Sequence, residues 1–99
     1  MQKLNLDEIK EIVLPIAKKY GVTKVAIFGS YARGEADRYS DVDLIINQGD
    51  IFGLWDFYGF KMDLEESLKR SVDLLTYDGL AGSSISNNIL SSEVVLYEQ

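Results

Sequence analysis

Ninety-nine residues, 46% hydrophobic and 26% charged, predict one ordinary globular domain with room for a core but little for a second site. The chain has no cysteine and no histidine, which excludes disulfides, thiolate nucleophiles, zinc fingers, Ser-His-Asp triads and histidine bases. A formal net charge of -6 argues against non-specific nucleic-acid binding, which needs a basic footprint. No apolar run approaches a membrane span and the N-terminus lacks a signal-peptide core, so the expected location is cytoplasmic.

Leu6 to Tyr20 has the apolar spacing of an amphipathic helix, with Ile9, Ile12, Val13, Ile16 and Ala17 facing the core. Asn5 or Asp7 can cap it, Lys18 and Lys19 suit its last turn, and Gly21 ends it. Pro15 lies inside the pattern, where it removes a hydrogen bond and predicts a kink or break. Thr23 to Phe28 predicts a β-branched strand that Gly29 terminates. Ser30 to Arg33 predicts a short helical turn closed by Gly34, and Glu35 to Ser40 a charged loop. Asp41 to Asn47 predicts a second strand, buried on both faces along Leu44-Ile45-Ile46, before a turn at Gln48-Gly49-Asp50.

Ile51 to Arg70 predicts the long helix, with Gly53 and Gly59 weakening its first half. Phe57, Phe60, Leu64 and Leu68 mark its core stripe, and Leu54, Trp55, Tyr58 and Met62 widen it. Glu65 and Lys69 form an i,i+4 pair in the favourable order. Ser71 to Thr76 predicts a third strand, Tyr77 to Asn88 a loop with a short helix, and Glu93 to Tyr97 a last strand. The order predicts an α/β (α+β) fold: a small mixed sheet with helices packed on one side.

Alternation along a strand puts Asp41 and Asp43 on one face, where two carboxylates repel each other. A divalent cation is the first candidate to compensate them. Without histidine or cysteine only oxygen ligands remain, which favours Mg²⁺, Mn²⁺ or Ca²⁺ over Zn²⁺. Asp73 interrupts an apolar strand, a costly place for a charge without a partner. If that strand lies beside the second one, Asp73 joins the pair, and three carboxylates can hold two Mg²⁺ roughly 3.5–4 Å apart. The alternative is an edge aspartate facing water. Gly29 permits a close backbone approach, and Ser30 with the following N–H groups suits a phosphate. Arg33 suits phosphate contact, neutralisation of the aspartates, or an ion pair with Glu35 or Asp37. Arg38 and Tyr39 are expected on the loop surface.

Gly29-Ser30, ten intervening residues, then Asp41-Val42-Asp43 resembles the signature of nucleotidyltransferases of the DNA polymerase β superfamily. The string from Gly29-Ser30-Tyr31-Ala32-Arg33-Gly34 through Ser40-Asp41-Val42-Asp43-Leu44 resembles its minimal stand-alone members. Ser71-Val72-Asp73-Leu74-Leu75-Thr76 is similar to the family's third-carboxylate strand, and Val94-Val95-Leu96-Tyr97-Glu98 to its C-terminal strand. The resemblance implies a polymerase β palm-like fold with ATP as substrate and two Mg²⁺, or Mn²⁺, as cofactor. Gly29 and Ser30 would bind the triphosphate, Arg33 would assist, Asp41 and Asp43 would ligate both ions, and Asp73 would ligate one and take the acceptor's proton.

Larger members carry an acceptor-binding domain, and this chain stops after the catalytic sheet, so the acceptor is expected on a partner. Minimal members act beside HEPN-type toxins, attaching AMP to a tyrosine of the toxin as its antitoxin. The aromatics Phe52, Trp55, Phe57 and Tyr58 offer either a partner surface or core packing, the latter favoured. Two competing readings stand beside this one: an antitoxin that works by occlusion alone, and the catalytic subunit of an antibiotic or RNA nucleotidyltransferase with a separate acceptor chain.

Overall fold

In the computed structural model, which describes residues 5–37, 40–49, 53–80 and 93–99, the chain begins with a capping box. Asn5 Oδ1 accepts the Glu8 N–H at 2.8 Å and the Glu8 carboxylate accepts the Asn5 N–H at 3.3 Å. Two donors that a helix start leaves unpaired are thus satisfied. Helix α1 spans Leu6–Tyr20 and stops at Gly21. Pro15 does not break it. Both Pro15 and Glu11, whose carbonyl loses its donor, are exposed, so water can replace the missing N–H. Ile9, Val13 and Ala17 are buried, with Ile12 and Ile16 packed at their flanks.

Strand β1 (Lys24–Phe28) runs into the short helix α2 (Gly29–Arg33), and the chain returns as β2 (Val42–Asn47). Helix α3 (Gly53–Leu68) leads to β3 (Val72–Thr76), α4 (Tyr77–Leu80) follows at once, and β4 (Val94–Glu98) closes the described chain. The four strands form one sheet in the order β3-β2-β1-β4. β1 is antiparallel to β2 and β4, whereas β2 and β3 are parallel, so the sheet is mixed as expected. Arg38, Tyr39, Ile51, Phe52 and the stretch after Leu80 assigned to a loop lie outside the described residues.

Ile9, Val13 and Ala17 of α1 and Phe60, Leu64 and Leu68 of α3 form the main core with Val25, Ile27, Leu44, Ile46 and Val72 of the sheet. Alternation then sends Ala26, Phe28, Asp43, Ile45 and Asp73 to the opposite face. There Ala26 and Ile45 are fully buried beneath Phe28, Leu75 and Tyr77. Leu44, Ile45 and Ile46 are all fully buried, because β2 is central and covered on both sides at that level. Tyr20 locks α1 to α3: its ring meets Phe60 edge-on at 5.4 Å and its hydroxyl donates to Asp63 at 2.7 Å.

The widened stripe on α3 is corrected. Leu54, Trp55, Tyr58 and Met62 are exposed, Trp55 at 91%, while Phe57 packs against the core. The sheet and α1 occupy only the arc carrying Phe57, Phe60, Leu64 and Leu68, so the residues outside that arc face water. The Glu65–Lys69 pairing is replaced as well. α3 ends at Leu68, Lys69 turns left-handed with φ 56, and the Glu65 carboxylate accepts the Val72 N–H at 2.9 Å.

Candidate active site

The turn between β1 and α2 is shaped around one carboxylate. Gly29 has φ 72, and a β-carbon there would run into the Asp43 carboxylate, whose Cγ lies 3.1 Å away. A residue without a side chain is required both by the backbone angle and by this close approach. α2 starts without a side-chain cap, so no capping residue occupies its leading N–H groups. Tyr31, buried in the main core, anchors this short helix, and Gly34 closes it with φ 75.

Asp37 and Ser40 are tied to each other ahead of β2. Ser40 Oγ accepts the Asp37 N–H at 2.9 Å and the Ser40 N–H donates to the Asp37 carbonyl at 3.2 Å. Asp41 follows, exposed and one residue ahead of β2 rather than within it. Asp43 lies opposite Phe28 on β1 and opposite Asp73 on β3. Residues paired in register on adjacent strands project to the same face, so Asp43 and Asp73 stand together there.

Burial pushes the Asp43 carboxyl up from 3.8 to about 6, reinforced by a hydrogen bond with the Asp73 carboxyl and by the charges of Asp73 and Asp41. The Arg33 guanidinium acts in the opposite sense. Asp43 therefore keeps its proton into mild acid, and above that range it adds an anion beside the charges of Asp73 and Asp41. A cation is the complement of that charge, so the residues present fit a hard divalent ion held by oxygen. Among the described residues no three acidic side chains are already gathered as a metal cage. The Asp43–Asp73 pair is assembled; Asp41 stands nearby, close enough to raise Asp43, but remains exposed.

Gly29, Asp43 and Asp73 are therefore brought together, with Ser30 next to Gly29 at the start of α2. Arg33 forms an ion pair with Glu35 at 3.1 Å, one of the alternatives its position left open, while its charge still reaches Asp43. Two supporting residues escaped the sequence reading. Ser40 had a signal, its place three residues after Asp37, within reach of the Asp37 N–H. Glu65 had none, since its bond to Val72 depends on where α3 docks.

A polymerase β nucleotidyltransferase domain profile matches residues 9–99. A Methanocaldococcus jannaschii chain assigned as a protein adenylyltransferase, MJ0435, is 43% identical over 77 residues, covering 78% of this chain and 83% of its own. The protein adenylyltransferase MntA of Thermococcus cleftensis is 35% identical over 98 residues, covering 95% and 98%. A solved complex of a tri-AMPylated Shewanella oneidensis HEPN toxin with its MNT antitoxin shares the fold, with a TM-score of 0.67 at 15% identity, covering 95% of this chain and 73% of that one.

Proposed function

Since the chain belongs to the polymerase β nucleotidyltransferase family, we propose that it is a Mg²⁺-dependent protein adenylyltransferase. It transfers AMP from ATP to a hydroxyl, a tyrosine in the first instance, of a HEPN-type toxin and so acts as the antitoxin. The observation that carries this reading is the register of β2 and β3, which sets Asp73 beside Asp43 under the Gly29 turn. The names of the two curated relatives support adenylyl transfer to protein, and the AMPylated toxin complex supports the partner class.

Asp41, Asp43 and Asp73 are the residues that would hold two Mg²⁺, with Mn²⁺ as a substitute. Bound there, the ions supply charge neutralisation between three carboxylates and a triphosphate that would otherwise repel one another. Gly29 lets the turn close onto Asp43, and the Ser30 hydroxyl and the N–H groups opening α2 hydrogen-bond the triphosphate oxygens. Arg33 adds a positive charge within reach of the site. The acceptor oxygen bonds to the α-phosphorus as the bond from that phosphorus to the bridging oxygen breaks, and pyrophosphate leaves with that oxygen. Asp73 is the more exposed of the pair, and in this reading it receives the proton of the incoming hydroxyl.

Leu54, Trp55, Tyr58 and Met62 on α3 give the chain an exposed apolar stripe of the kind a protein partner covers. Among the described residues no helix is long and apolar enough to cross a membrane. A reaction that consumes ATP suits the cytoplasm.

The test incubates the protein with ATP, Mg²⁺ and its cognate toxin and reads intact mass. Added adenylate on the toxin is expected, and it disappears with Asp41→Asn or Asp43→Asn. A tight, inhibitory complex with no added mass refutes transfer and leaves occlusion as the mechanism.

A further inference from the structure

Asp73, which pairs with Asp43, is the second residue of β3, shortly after a left-handed turn and on an edge of the sheet. In a parallel ladder, alternate residues point their amides toward the neighbouring strand. The Val42 N–H donates to the Ser71 carbonyl at 2.9 Å, so Ser71 and Asp73 face β2 with their backbone groups. The Val72 N–H therefore points outward, toward the free edge, where the sheet offers it no acceptor. Glu65 of α3 supplies one: its carboxylate accepts the Val72 N–H at 2.9 Å. The same residue's carbonyl accepts the Lys69 N–H at 2.8 Å. One residue thus holds both ends of the connection from α3 to β3, across the turn where Lys69 has φ 56.

A register pinned this close to Asp73 matters because strand side chains alternate. A slip of one residue would bring Val72 or Leu74 opposite Asp43 and send Asp73 to the helix-covered face. A smaller relaxation of the first β3 residue would widen the Asp43–Asp73 pair. Val72 itself is buried beneath the sheet, so its side chain and its amide are fixed by different elements.

We propose that Glu65 is a positioning residue for the metal-binding pair: by holding the Val72 amide it sets Asp73 at the spacing from Asp43 that a divalent cation requires. This rests on the proposed metal site and deepens it. Glu65 touches neither nucleotide nor metal; it acts through the backbone of Val72.

The test is Mn²⁺ binding by calorimetry, without nucleotide, for the wild type and for Glu65→Ala, Glu65→Asp and Glu65→Gln, with unfolding midpoints measured alongside. Loss of a supporting group behind a ligand weakens metal binding roughly ten- to hundredfold, and the lower end is expected for Glu65→Ala. Glu65→Asp keeps the charge but is one methylene short, so it should weaken Mn²⁺ similarly. Glu65→Gln keeps an acceptor oxygen at full reach and should bind Mn²⁺ near the wild-type level. Tyr20→Phe, which loosens α1 from α3 away from β3, should lower the unfolding midpoint and leave Mn²⁺ affinity unchanged. In the toxin reaction, Glu65→Ala should require about tenfold more Mg²⁺ for half-maximal rate.

Unchanged Mn²⁺ affinity in Glu65→Ala and Glu65→Asp, with the wild type binding, overturns the proposal while the metal site stands. An equal loss in Glu65→Gln also overturns it, since charge rather than reach would then be responsible. Absence of Mn²⁺ binding by the wild type overturns the metal site and this inference together. Should Glu65→Ala fail to fold, Glu65→Asp against Glu65→Gln decides the matter alone.

Discussion

Replacing Asp43 by asparagine should stabilise the metal-free protein while abolishing its proposed reaction. The Asp43 carboxyl is held at about 6 in the folded chain against 3.8 for a free carboxyl. The folded state therefore keeps a proton that the unfolded state has already lost, and stability falls as pH rises through the window between those values. At about 1.4 kcal/mol per pKa unit the full displacement corresponds to ~3 kcal/mol. Asp43 is only partly buried, so solvent screens part of this, leaving roughly 1–2 kcal/mol. Asparagine has the shape of the protonated acid, can donate to Asp73, and has no charge to develop. At neutral pH without divalent ions, Asp43→Asn should gain about 1–2 kcal/mol, a rise of about 4–8 °C in midpoint for each kcal/mol in a domain of this size. At about pH 3.5, below both values, the gain should vanish. Urea unfolding at the two pH values measures it. Millimolar Mg²⁺ should then raise the wild-type midpoint and leave the variant's unmoved. A variant less stable than wild type at neutral pH, or an offset equal at both pH values, would refute the reasoning that burying the Asp43 carboxylate beside Asp73 costs stability.

Gly29→Ala forces a side chain into a left-handed turn and onto the Asp43 carboxylate. The strain alone should cost about 1–3 kcal/mol in urea unfolding. The surviving folded protein should lose the thermal stabilisation that ATP with Mg²⁺ gives the wild type; retention of that shift would show that the turn does not face the nucleotide. On α3, Trp55→Ala should change stability by no more than about 0.5 kcal/mol, since the ring is in water, while weakening toxin binding. Phe60→Ala, which empties a fully buried site, should cost about 3–5 kcal/mol. Similar losses for the two variants would mean that Trp55 is covered within the folded chain.

Local chemistry was legible because its physical causes are local. The start of α1 was narrowed to a cap at Asn5 or Asp7, of which the structure uses Asn5 with Glu8, and Gly34 ends a turn whose left-handed angle favours glycine. The apolar spacing of Ile9, Val13 and Ala17 names the buried face of α1 whatever it packs against. Asp41 and Asp43 declared a charged site by their spacing in an otherwise apolar run. The outward turn of Leu54, Trp55, Tyr58 and Met62 was not legible, because periodicity fixes which residues share a helix face but not how wide an arc the partners cover. Sequence alone made Asp73 either a ligand or a solvated edge residue. The parallel register of β3 against β2 brings Asp73 beside Asp43, and it depends on long-range packing of α3 and on contacts such as Glu65 to Val72. The chain by itself determined which groups carry charge and roughly where the helices and strands of the described residues fall. Only the tertiary structure decided which charges meet, since that energy depends on distances between strands and not on positions along one.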